Sequence, residues 1–291
     1  MNISSGWFSS GLSKLPQIQG IEYLGPMASP RKWTHDELLV ALNLYHKLTF
    51  GQLHARQPII SALAQKLDRS ANRVAMKLVN FASLDPVVKL RGKKGLDGTS
   101  ELDRVVWREF HENIAEAVPA SEEALRVLFG PCTETEIEVS PKKGILLHRS
   151  APSGHTETIG TVKQRRGQEY FREVVLNNFA GRCGVTGLAV RELLIASHIL
   201  LWGNHETERL NVRNGLCLSR LHDAAFDRGL ISFDDDLRLL LSPRLQKELP
   251  QRAVAENFGS YAGEALLLPP DAITPESVFL DTHRKAIFQK S

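Results

Sequence analysis

Two stretches decide how this chain is read: ASHILLW at residues 196–202 and NGLCLSRLHDAAFDRGLISFD at residues 214–234. The first lies in a short apolar run, residues 193–201, interrupted by one histidine, His198. A run that short, bounded by polar residues, predicts a strand. Residues 214–218 predict a second strand, opened by Asn214-Gly215, and residues 221–226 predict one or two helical turns. Residues 231–233 and 237–241 then read as a closing hairpin around Asp234-Asp235-Asp236, a solvated turn. The pattern is strand, loop, strand, helix. His198 stands at the end of the first strand, Asn214 before the second, and His222, Asp223 and Asp227 on the helix, the two aspartates four residues apart on one face.

Working outward, FREVVLNNFAGRCGVTG at residues 171–187 precedes these motifs. Phe171, Val174, Val175 and Phe179 recur at helical spacing, so an amphipathic helix is expected from Gln168 to Gly181. The three stretches, about 65 residues in the expected order and spacing, resemble the HNH endonuclease family. They are most similar to its bacterial branch of restriction-endonuclease-like proteins. The resemblance implies an α+β chain with a C-terminal ββα-metal domain that hydrolyses phosphodiester bonds. His198 would be the general base, a role suited to an imidazole with an ordinary pKa of about 6.5. Asn214 would hold the loop and orient that base. His222 or Asp223 would ligate a divalent cation, with register favouring Asp223, and Asp227 is a further ligand or supporting group. Magnesium is the expected ion, with manganese and nickel as alternatives.

Two features depart from the family pattern. Many members place an Asp or His before the base as a metal ligand; here Ser197 stands there. The metal would then keep more of its own water, as magnesium commonly does. The paired cysteines of a zinc ribbon are missing, so no structural zinc is expected. Cys132, Cys183 and Cys217 are odd in number and widely spaced, which reads as free thiols in a reducing cytoplasm.

The N-terminal half has a helical pattern. Thr34 and Glu37 form a capping-box signature before a first helix, a second starts at Pro58, and a third follows Asp68-Arg69-Ser70. Further helices are expected from Ser100 and over residues 121–129. Together with RSANRVAMKL at residues 69–78, the first three resemble a Myb/SANT-like DNA-binding unit. Between residues 55 and 99 there are nine basic and three acidic side chains, a local net of +6 against +3 for the whole chain. Arg69, Asn72, Arg73 and Lys77 are the expected groove or backbone contacts, and Arg91, Lys93 and Lys94 an expected phosphate-binding loop.

The remaining expectations concern organisation. Residues 1–30 read as a loosely ordered arm, 31–130 as the helical domain, 131–167 as a linker with one strand near residues 145–148, and 168–291 as the nuclease domain with a last helix over residues 275–288. No stretch approaches the ~20 apolar residues of a membrane span, so no membrane partner is expected. Trp202 reads as packing, and His205 and His283 as surface residues. Arg172 and Arg209 fit either core support or phosphate contact. The whole reads as a cytoplasmic, metal-dependent DNA endonuclease of restriction or phage defence, acting on DNA and with a homodimer as one arrangement. The competing readings are a DNA-binding regulator with a decayed core and a nuclease effector activated by a partner or signal.

Overall fold

The helix starts expected at Thr34, Ser70 and Ser100 carry side-chain caps in the computed structural model, which describes residues 31–130, 135–149, 159–201 and 205–288. Thr34 and Glu37 form the reciprocal capping box of α1, His35–Lys47. Pro58 opens α2, Pro58–Lys66, and Ser70 caps α3, Ala71–Leu84. The short α4, Pro86–Leu90, leads to α5, Glu101–Glu112, capped by Ser100 and Asp103. Next comes α6, Ile114–Phe129, which starts earlier than the expected residue 121. Pro119 lies within it; a proline this near the N-terminus removes one of the first turns' hydrogen bonds without ending the helix.

The described residues of the stretch read as a linker carry secondary structure. They hold an antiparallel hairpin of β1, Thr135–Ser140, and β2, Gly144–Arg149, and the first part of α7, Ile159–Asn178. The hairpin rests on α7, where Glu173 Oε1 accepts the Val139 amide at 2.7 Å and Asn177 donates to the Val139 carbonyl at 3.1 Å. The expected arm of residues 1–30, and Cys132 and Trp202, lie outside the described residues. The chain divides into a short stretch, Met1–Trp33, and one unit from Thr34 to Ser291.

From α7 the chain continues through β3, Leu194–His198, β4, Gly215–Ser219, and α8, Arg220–Asp227. The hairpin of β5, Ile231–Phe233, and β6, Leu239–Leu241, follows, with Asp234 Oδ1 closing the turn on the amides of Asp236 and Arg238. The chain ends with α9, Pro243–Lys247, α10, Arg252–Asn257, and α11, Ser277–Ala286. The fold is α+β, with a helical N-terminal region and small antiparallel sheets. No helix among the described residues is long and apolar enough to cross a membrane.

The C-terminal core gathers Phe171, Val175, Phe179, Leu194, Leu216, Leu218, Phe226 and Phe233. α7 packs on this core and also on α1 and α6, so it belongs to both halves. Where β4 starts against α7, the space admits only a glycine. A Cβ on Gly215 would stand 2.3 Å from Val175 Cγ2 and 3.0 Å from Phe171 Cζ. Gly215→Ala is therefore expected to destabilise the protein by on the order of 1–3 kcal/mol through overpacking. The check is urea unfolding; an unchanged midpoint would mean that α7 and β4 are less tightly apposed.

His283 is not at the surface, as the sequence had suggested. Its ring is buried against Phe226, with centroids 3.8 Å apart and planes 3° from parallel. Its nitrogens meet the Ser232 hydroxyl at 3.0 Å and the Phe226 carbonyl at 3.1 Å. Apolar residues on either side of a histidine at helical spacing do not distinguish a solvated ring from one satisfied by distant carbonyls.

Candidate active site

The site is built on β3, β4 and α8. β3 and β4 pair antiparallel with His198 opposite Gly215 and Ser197 opposite Leu216. Side chains alternate across a strand, so Ser197 and His198 face opposite ways. His198 turns towards α7 and lies flat on Phe171, with ring centroids 3.7 Å apart and planes 12° from parallel. Its Nε2 lies 2.9 Å from the Arg209 carbonyl oxygen. A carbonyl only accepts, so this bond places the proton on Nε2 and makes Nδ1 the proton-accepting nitrogen. Burial pushes the His198 pKa below its ordinary value, with the Arg209 carbonyl opposing, and the ring is neutral at pH 7.

Asn214 is buried where the loop returns to β4. Its Oδ1 accepts the Leu200 amide at 2.8 Å, its Nδ2 donates to the Glu208 carbonyl at 3.0 Å, and its own carbonyl accepts the Ile199 amide at 2.9 Å. These bonds hold together the two residues that follow His198 and the 206–209 turn that supplies the Arg209 carbonyl. The amide uses its donor and its acceptor on two parts of one loop; an ionised carboxylate, which only accepts, could not.

Ser219 caps α8, and its hydroxyl lies 2.8 Å from His222 Nδ1. His222 Nε2 donates to the Asn257 carbonyl at 2.9 Å, and the ring is buried. Both nitrogens thus have protein partners, and His222 ties α8 to α10. Asn257 lies 35 residues away, and nothing in the sequence marks its carbonyl as the partner.

Asp223 and Asp227 stand one turn apart on α8. Burial pushes the Asp223 carboxyl up, while the Ser197 hydroxyl and Arg220 pull it back. Asp227 is more exposed; partial desolvation and then the charge of Asp223 push it up, opposed by Arg228. Ser197 is only 3% exposed, and its Oγ makes no hydrogen bond of normal geometry although it acts on Asp223. Among the described residues, no three His, Cys, Asp or Glu side chains gather in a group able to hold a metal.

Residues 183–234 match the HNH endonuclease family model. The C-terminal half thus carries an HNH endonuclease domain, from Cys183 to Asp234. No curated protein matches the chain. Within the HNH segment Cys183 is buried, accepting the Ser219 amide at 3.2 Å, and Cys217 is buried with its thiol pushed up to about 12 by desolvation. Arg172 lies just before the segment and supports it, donating to the carbonyls of Leu194 at 2.7 Å and Arg191 at 3.1 Å.

The expected DNA contacts divide. The Arg69 side chain is buried and paired with Glu37 at 2.8 Å, and Lys77 is buried and paired with Asp103 at 2.8 Å. α3, which carries Lys77, packs on α1 and α5. Arg91 and Lys93 reach the carbonyls of Asp271 and Ala272 and the Asp271 carboxylate. They brace two parts of the fold where a phosphate loop was expected. Asn72, Arg73 and Lys94 are exposed.

Proposed function

We propose that this chain is a metal-dependent endonuclease that hydrolyses DNA phosphodiester bonds. The observation that carries the reading is His198, neutral, oriented by the Arg209 carbonyl and set at the end of β3 within the HNH segment. A phosphate lying across the end of that strand would meet His198 on one side and the Asp223 side on the other. His198 takes the proton of the attacking water at Nδ1, and Asn214 keeps the 199–209 loop closed around the base.

Asp223 and Asp227 would hold the cation. Two carboxylates raised by burial, with the charge of one acting on the other and an unsatisfied hydroxyl beside them, form an oxygen donor set with negative charge to spare. Such a set fits a hard dication that retains several waters, with magnesium ahead of manganese and nickel. Bound there, the ion would stabilise charge on the phosphate and the leaving oxygen. The exposed Asn72, Arg73 and Lys94 are the groups offered for gripping DNA. A restriction or phage-defence setting follows from similarity to that branch of the family.

The test is cleavage of plasmid DNA against a titration of Mg2+, Mn2+ and Ni2+. Asp223→Asn with Asp227→Asn is expected to shift the metal requirement upward by on the order of 10- to 100-fold. Unchanged metal dependence in that double variant would place the cation elsewhere.

A further inference from the structure

We propose that Phe171 is the positioning residue of the base: its ring is the floor that keeps the His198 imidazole in line with the Arg209 carbonyl. The proposal deepens the nuclease reading above and rests on it. The second side-chain torsion of histidine is soft, and the Nε2 bond fixes one ring atom but not the tilt of the ring about it. A parallel ring 3.7 Å away sets that tilt on the α7 side, because a swing towards α7 drives the imidazole into the phenyl face.

The floor is itself fixed from several directions. Phe171 is buried, and Gly215, opposite His198 in the strand pair, leaves the room that its Cζ occupies. The next two residues of α7 are bonded elsewhere. Arg172 holds the carbonyls of Arg191 and Leu194 at the entry to β3. Glu173 takes the Val139 amide and pairs with Lys47 of α1 at 2.6 Å. Turning α7 about its axis would break all three sets of contacts at once, so the Phe171 ring cannot follow a moving imidazole. A buried phenylalanine needs only apolar neighbours; this one gives a whole face to the polar ring of the base.

The full-length chain, labelled with 13C and 15N on histidine, tests this by NMR, with His198→Ala assigning the resonance. A stacked phenyl shifts protons above its face upfield, so the His198 ring protons are expected upfield in the wild type. In Phe171→Leu they should move downfield while those of His283, stacked on Phe226, stay in place. In DNA cleavage Phe171→Leu should lower kcat by on the order of 10- to 100-fold with KM unchanged, as expected when a reacting group is misplaced by about 1 Å. Urea unfolding of the variant confirms that the compared protein is folded. Absence of the upfield shift in the wild type overturns the proposal. So does a wild-type kcat in Phe171→Leu when His198→Ala is inactive. Equal cleavage by wild type and His198→Ala would instead remove the nuclease reading, and the Phe171 role with it.

Discussion

His198→Ala is expected to lower the single-turnover rate of DNA cleavage by roughly 10²- to 10⁴-fold, the range for losing a positioned general base. DNA binding should be little changed, because the ring is held against Phe171 and the Arg209 carbonyl and is not among the exposed cations. The fold should also survive. The imidazole sits at the end of β3, and the loop behind it keeps three bonds to Asn214, through Leu200, Glu208 and Ile199, when the histidine bond to the Arg209 carbonyl is lost. Gel quantification of cleavage with circular dichroism of the variant separates the cases. A rate loss accompanied by unfolding would make His198 a structural residue.

Lys47→Met is expected to be the most destabilising single change away from the site. Lys47 Nζ is fully buried between Glu122, at 2.5 Å, and Glu173, at 2.6 Å, joining α1 to α6 and α7. Glu122 also accepts from Asn43 at 2.7 Å. Removing the cation leaves two buried carboxylates without compensation, at a cost of about 3–5 kcal/mol. The sign of the pH dependence follows from Glu173, whose carboxyl burial pushes up to about 7 even with Lys47 in place. Without Lys47 it rises further, so at low pH the acid takes a proton and the loss is modest. As pH rises, keeping Glu173 neutral or burying its charge becomes more costly, and the loss grows. Urea unfolding of wild type and variant at pH 6 and pH 9 checks this. A loss that is equal at both would show that Glu173 does not titrate in the folded variant.

Much of this was readable before the structure. Strand, loop, strand and helix at residues 194–227 followed from short apolar runs and the Asn214-Gly215 pair, and the caps at Thr34, Ser70 and Ser100 followed from residue type and spacing. These signals are local: a cap acts over three residues, and a strand alternates every two. What the sequence did not show depends on partners far along the chain. The carbonyl of Asn257 is a partner of His222, and Asp103 is a partner of Lys77. Glu37 is a partner of Arg69, and the 271–272 loop engages Arg91 and Lys93. Counting basic residues along a segment records charge but not direction, so a helix whose lysine points inward looks like one whose lysine points at DNA. The hairpin of residues 135–149 was hidden for a similar reason, since its proline- and glycine-bearing sequence gains order from Glu173 and Asn177 of α7.

The most direct measurement is conversion of supercoiled plasmid to nicked or linear product by the purified chain. It should be run with a divalent cation, with that cation chelated, and with His198→Ala in its place. The account predicts product only for the wild type with metal. Product that persists after chelation, or that forms equally with His198→Ala, would contradict it.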